Sequence, residues 1–224
     1  MTEEIQKIVD GYKDFKKEYF EEKNHEFKEL VDNGQKPKIL VIACSDSRVD
    51  PAIVTNSKPG DLFVIRNVAN LVPPYEPDNG YHGTSAALEF GVCVLNVEHI
   101  IIFGHTQCGG INSIIAPDDS TQSMWFIKNW MQIARPTCLN AINNNPNLNQ
   151  EKLGEICGQH SLINSLKNLK TFPWISQKVE EGILSLHAWN FDLPTGTIQV
   201  YKEDLEIFSA LDRCSNNHSD LLSV

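Results

Sequence analysis

The sequence has no apolar run long enough to span a bilayer, which takes roughly 18 to 20 residues; its longest, at 39–44 and 100–103, stop after a few. The first ten residues hold two Glu and no apolar segment, which predicts no secretory leader. Basic residues are also scarce. Nineteen Lys and Arg stand against 29 Asp and Glu, a formal charge of -10. That sign disfavours nucleic acid and anionic membrane as partners, because both are bound by neutralising phosphates. Six cysteines in 224 residues are too few for a disulfide scaffold and are expected as thiols in a reducing compartment. What remains is a cytoplasmic protein, 41% hydrophobic and long enough to bury one substantial core.

The surplus acid lies at the ends. Residues 1–32 hold 10 acids and 6 bases, and residues 180–224 hold 8 and 2, so the stretch between is balanced at 11 each. The first 32 residues place Ile5, Ile8, Val9, Tyr12, Phe15, Tyr19, Phe20, Phe27, Leu30 and Val31 at helical spacings, with a break near Lys23 and Asn24. Asn33-Gly34 ends that pattern. Two readings stand for the apolar stripe: packing on its own subunit, or an arm laid across a partner.

From Lys38 the period changes. Residues 39–43, 62–65 and 100–103 are short apolar runs rich in β-branched residues, as expected of strands covered on both faces of a parallel sheet. Residues 84–97 return to helical spacing between the second and third. The predicted class is α/β, a mostly parallel central sheet flanked by helices, with an N-terminal helical arm and a C-terminal hairpin or antiparallel edge strand. Residues 140–150, with six Asn and a Pro, read as a surface loop. Residues 151–169 read as helix, a further helix runs from 173 to about 181, and 184–191 with 197–201 read as the hairpin.

Two segments follow directly on buried strands: Cys44-Ser45-Asp46-Ser47-Arg48 and Gly104-His105-Thr106-Gln107-Cys108-Gly109-Gly110. Both open into the crevice beyond the strand ends, where open parallel sheets bind ligands. Cys44, His105 and Cys108 form a donor set suited to zinc. A structural zinc site is closed by four Cys or His ligands and a catalytic one keeps a position open. Here the fourth position is either open or taken by Asp46, which Arg48, two residues on, is spaced to pair with and draw away.

Together with 59–67 (Pro-Gly-Asp-Leu-Phe-Val-Ile-Arg-Asn) and 83–90 (Gly-Thr-Ser-Ala-Ala-Leu-Glu-Phe), these segments make the chain similar to the β-class carbonic anhydrases. The resemblance is strong over 35–111 and looser to about Tyr201. It implies one Zn2+ per subunit on Cys44, His105 and Cys108, and reversible hydration of carbon dioxide to bicarbonate by attack of zinc-bound hydroxide. Asp46 and Arg48 are implied as the catalytic dyad that orients it. Gln35, Phe63, Val68, Phe90 and Gly109 are implied at the substrate pocket, with Phe90 lacking the hydroxyl of the plant-type tyrosine. Val41 and Ala43 stand where the bicarbonate-regulated type has Trp and Gly, which points to the plant-type, open-site subgroup. The resemblance also implies a homodimer or homotetramer. Residues 1–224 are then one domain: an arm at 1–34, the zinc core at 35–115, and helices and C-terminal strands at 116–224.

Simpler roles fit the other candidates. Cys93, Cys138, Cys157 and Cys214 read as small core residues, and His82, His99, His160, His187 and His218 as single histidines, His82 being a weak candidate for moving protons. Trp125, Trp130 and Trp174 read as packing anchors, Asn67 as a turn residue, and Arg66 as either an ion-pair partner or a site residue. Two other functions share the scaffold: a hydrolase of carbon disulfide or carbonyl sulfide, and a non-catalytic zinc module, for which the Asp46–Arg48 pair would have no use.

Overall fold

A computed structural model describes residues 1–22, 24–116 and 124–211. Its centre is a six-stranded sheet in the order β2-β1-β3-β4-β5-β6. The strands are β1 (Ile39–Cys44), β2 (Leu62–Asn67), β3 (His99–His105), β4 (Ser185–Asp192), β5 (Thr197–Lys202) and β6 (Ile207–Ala210). Pairing is parallel from β2 through β4 and antiparallel from β4 to β6. The mostly parallel sheet and the β4–β5 hairpin agree with the sequence reading. Strand β6 adds a third antiparallel strand, four residues long and too short to stand out by pattern.

Strand side chains alternate between faces, and each apolar run here divides accordingly. Leu40, Ile42, Ile100 and Ile102 enter one cluster with Leu88, Val92, Leu162, Leu169 and Ile175 from the covering helices. Their neighbours Val41, Ala43, Ile101 and Phe103 form a second cluster on the opposite face. This is why β1 and β3 are apolar without alternation; β2, expected to be covered on both faces, is an edge strand and leaves Val64 exposed.

The helices are α1 (Glu3–Lys16), α2 (Asn24–Asn33), α3 (Pro51–Val54), α4 (Gly83–Glu89), α5 (Gly109–Ile115), α6 (Trp125–Trp130), α7 (Arg135–Asn144), α8 (Gln150–Leu169) and α9 (Pro173–Glu180). The predicted break in the arm is a π-helical turn at Lys17–Glu22, and Gly34 ends the arm at φ +72°. No residue of α1 is buried, and it meets the rest of the arm through Phe15, whose ring lies 5.8 Å from that of Phe27 in α2. The loop expected at 140–150 is shorter: Asn140 to Asn144 complete α7, because Cys138 and Ala141 are buried in the third apolar cluster and hold that helix in place. Asn149 caps α8 by accepting from Lys152 N at 2.9 Å. Among the described residues no helix is long and apolar enough to cross a membrane.

Candidate active site

Strands β1 and β3 lie side by side with Ala43 opposite Phe103, so their last residues, Cys44 and His105, emerge together at the carboxyl edge of the sheet. Beyond His105 the chain turns through Gln107, which adopts φ +57°, and returns Cys108 to the same point. Left-handed backbone is unfavourable for a residue with a Cβ, and Ala69 (φ 62°) and Asn70 (φ 48°) share it in the adjoining 3-10 turn. Such strain persists where the surroundings over-determine it, and it gathers at functional sites. Gly110, two residues past Cys108, is required by close approach: a Cβ there would lie 3.0 Å from Ala69 Cβ and 3.1 Å from Val68 Cγ1.

The ligand atoms of Cys44, His105 and Cys108 lie within 4.8 Å of one another, and the two sulfurs are 3.9 Å apart. All three residues are buried. The His105 ring is set by Nδ1, 2.8 Å from Thr106 O, an arrangement that makes Nδ1 the N–H donor and leaves a lone pair on Nε2. That Nε2 is buried and has no hydrogen-bond partner among the described residues. A buried acceptor left in this way costs free energy unless something takes its lone pair; a cation between Nε2 and the two sulfurs does so. The donor set thus fits a metal ion that accepts soft sulfur together with imidazole.

Hydrogen bonding tunes the two thiols. Cys44 is held well below the usual thiol range, chiefly by the hydrogen bond from Cys108, with His105 and the backbone N–H groups of Asp46 and Ala69 adding to it against the opposing effect of burial. Cys108 is pushed up by the same bond and by burial, while the N–H groups of Gly110 and Ile111 oppose the rise. Two sulfurs this close can share one proton, which a cation bound between them would displace.

Asp46 is held by Arg48 through both carboxylate oxygens: Nε donates to Oδ1 at 2.9 Å and Nη2 to Oδ2 at 2.7 Å, with Arg48 N adding a 3.0 Å bond to Oδ1. These bonds keep its carboxyl far below the ordinary carboxylate range. Oδ2 nevertheless lies only 3.8 Å from His105 Nε2, so the ionised group borders the ligand cluster. Arg66 settles into a supporting role. It donates to the carbonyls of Cys44 (3.0 Å) and Asp46 (2.7 Å) and pairs with Asp50 at 2.9 Å. Asp50 also caps α3 ahead of Pro51. An Asp-Pro pair of this kind is a helix-start signal visible in the sequence. Asn67 does more than turn: its side chain accepts from Leu71 N and donates to Leu71 O and Thr84 Oγ1.

Thr106 ties the ligand turn to β4, donating to Asp192 Oδ1 at 3.1 Å and accepting from Leu193 N at 3.0 Å. No sequence signal joined those residues. Of the expected pocket residues, Phe63 and Phe90 meet with ring centroids 6.0 Å apart. Val68, partly exposed, lines a broad groove with Thr84 and Trp130. Gln35 is exposed on the connector before β1, and Gly109 opens α5.

Other readings need correction. Cys93 is exposed, whereas Cys138 and Cys157 are buried as expected; Cys214 and His218 lie outside the described residues. His99 and His187 are a pair, 3.3 Å apart on neighbouring strands. His82 accompanies Asp78 at 2.6 Å. Trp125 is largely exposed, while Trp130 and Trp174 pack against the apolar clusters.

A family model described as carbonic anhydrase matches residues 39–198. A carbonic anhydrase of Synechocystis sp. is 35% identical over 206 residues, covering 92% of this chain and 74% of its own length. The solved structure of the β-carbonic anhydrase CcaA is likewise 35% identical, with a TM-score of 0.86 over 92% of this chain and 99% of that one. One of the tetrameric β-carbonic anhydrases of Sordaria macrospora, 27% identical, has a TM-score of 0.73 over 92% of this chain and 96% of its own.

Proposed function

The chain belongs to the carbonic anhydrases, in their β class, and on that premise we propose that Cys44, His105 and Cys108 hold one zinc ion per subunit while Asp46 and Arg48 govern the attack on carbon dioxide. The observation that carries this reading is the unpartnered His105 Nε2, grouped with two sulfurs and bordered by an ionised carboxylate. Zinc there would supply Lewis acidity, bringing the pKa of water down towards the value of about 7 known for histidine-ligated sites, less strongly beside two thiolates than beside three imidazoles.

The chain's own residues do the rest. Asp46, kept ionised by Arg48, has no proton to give and can only accept, so it selects and orients a hydroxyl group that points its hydrogen at Oδ2. Arg48 also reaches Gln107 O at 3.3 Å, fixing the dyad to the ligand turn. With both carboxylate oxygens held by Arg48, Asp46 borders the ligand cluster without joining it, which favours the open-site subgroup. Phe63, Val68, Phe90, Gly109 and Gln35 are read as the surroundings of carbon dioxide. Val68 and Phe90 are each about two-fifths exposed in the single chain, which suits a pocket completed by a second copy in a dimer or tetramer. The reading keeps 1–224 as one cytoplasmic domain, with the arm at 1–34, the zinc core at 35–115 and the remainder at 116–224.

Stopped-flow hydration of carbon dioxide tests it. Cys108→Ser should lose zinc and activity together, and Asp46→Asn should keep zinc yet slow hydration by about 10²-fold or more. The wild-type rate should rise from neutral to alkaline pH. Because Asp46 ionises far below that range, the rise belongs to the nucleophile. Full activity in zinc-free protein, or a rate flat across pH, would overturn the proposal.

A further inference from the structure

Ser161 lies on the face of α8 that packs against the site. It is 1% exposed, and its hydroxyl has no hydrogen-bond partner among the described residues. Ser165, one turn on and equally buried, is different: its Oγ accepts from Val72 N at 3.3 Å. Buried hydroxyls are rarely left unpaired, and each exception calls for an occupant. Here there is room for one. Ser161 borders a cavity of about 10 Å3 whose lining also includes His105, Cys108, Asn70 and Asn190. That volume matches a single water molecule, and the lining offers the two to four polar contacts that a buried water requires.

We propose that one water fills this cavity, bonded to the Ser161 hydroxyl and donating to the Cys108 sulfur, so that Ser161 is a positioning residue for the metal ligands. Partners of this kind tune a metal through the ligand they touch. Cys108 Sγ is already faced by the N–H groups of Gly110 and Ile111 from one side. A further donor from the α8 side fixes the sulfur in the orientation set by the Gln107 turn, so that the ligand cluster is pre-organised for the cation. Nothing in the sequence marks Ser161 for this role, since it sits 53 residues beyond Cys108 in the middle of a helix. The inference rests on the metal reading above.

The test uses the whole chain with cobalt(II) in the site, because its d–d and thiolate-to-metal bands report the sulfur directly. Ser161→Ala should shift those bands and weaken metal binding about 10-fold, measured by competition with a chelator. Ser165→Ala, an equally buried loss on the same helix, should leave the bands in place. Melting supplies a second readout. If the Ser161 hydroxyl had no partner, its removal would relieve a buried unsatisfied group and raise the melting temperature; a water-linked hydroxyl predicts a fall. Unchanged cobalt bands and affinity, or a raised melting temperature, overturn the proposal. So does a wild-type crystal structure with no density within hydrogen-bond distance of Ser161 Oγ, a result that does not depend on how the variant folds. A wild-type chain that takes up no cobalt instead overturns the metal reading itself.

Discussion

His187 shows how a single side chain can set the acid limit of the fold. Its ring on β4 lies against His99 of β3. Burial chiefly, with the nearby charges of His99 and Lys202, pushes its pKa down from 6.5 to about 4. An unfolded chain takes up a proton near pH 6.5 that the folded chain refuses until about pH 4. Stability is therefore undiminished above 6.5 and declines as pH falls towards 4, by roughly 2 kcal/mol at pH 5. Urea midpoints at pH 7.5 and 5 should separate further in the wild type than in His187→Gln; equal separations would contradict the assignment. Asp46 acts in the same sense at lower pH, because its folded pKa is also depressed. Its lowered pKa means that its pairing with Arg48 stabilises the fold above the ordinary carboxylate range and is lost only as pH falls through the much lower folded value.

At the level of elements, the N-terminus of α5 and the turn at Val68–Asn70 press together, and Gly110 is where they meet. Gly110→Ala would improve helix propensity in isolation, yet its methyl would enter space already held by Ala69 and Val68. Overpacking of this kind costs about 1–3 kcal/mol. Chemical denaturation should show that loss, accompanied by weaker retention of the proposed metal because Cys108 is two residues away; a stabilised variant would show that the contact yields. Elements differ in how far the sequence disclosed them. Strands β1 and β3 were legible because burial on both faces removes polar residues from them, and the edge strand β2 was legible from its apolar run after the Pro59-Gly60 turn. Helix α7 was not, since its run of asparagines resembles a loop and only the burial of Cys138 and Ala141 holds it as helix. Cys44, His105 and Cys108 were legible because their spacing after strands is unusual. The contacts of Thr106 with Asp192, and the place of Ser161, arise when segments far apart in the chain pack together, and no local pattern records them.

Over the whole molecule, much of the apolar stripe of α1 is left open: Ile5, Ile8 and Tyr12 are more than half exposed, while Phe15 packs on Phe27 of α2. If this helix is the arm of a dimer or tetramer, Ile8→Glu with Tyr12→Glu should lower the mass measured by light scattering and leave far-ultraviolet circular dichroism unchanged, because exposed substitutions barely disturb a fold. An unaltered mass would assign the stripe elsewhere. The acidic ends fit this picture, setting which surfaces can meet without affecting a neutral substrate such as carbon dioxide. The strand order also has a consequence in time. All three proposed metal ligands precede residue 109, yet β3, which carries His105, is flanked on one side by β4, and β4 is complete only at Asp192. At ~5–20 residues per second, roughly 4 to 17 s of synthesis separate the last ligand from the strand that walls it in. During that interval a nascent chain presents both thiols beside an unfinished sheet, open to metal and to oxidant alike.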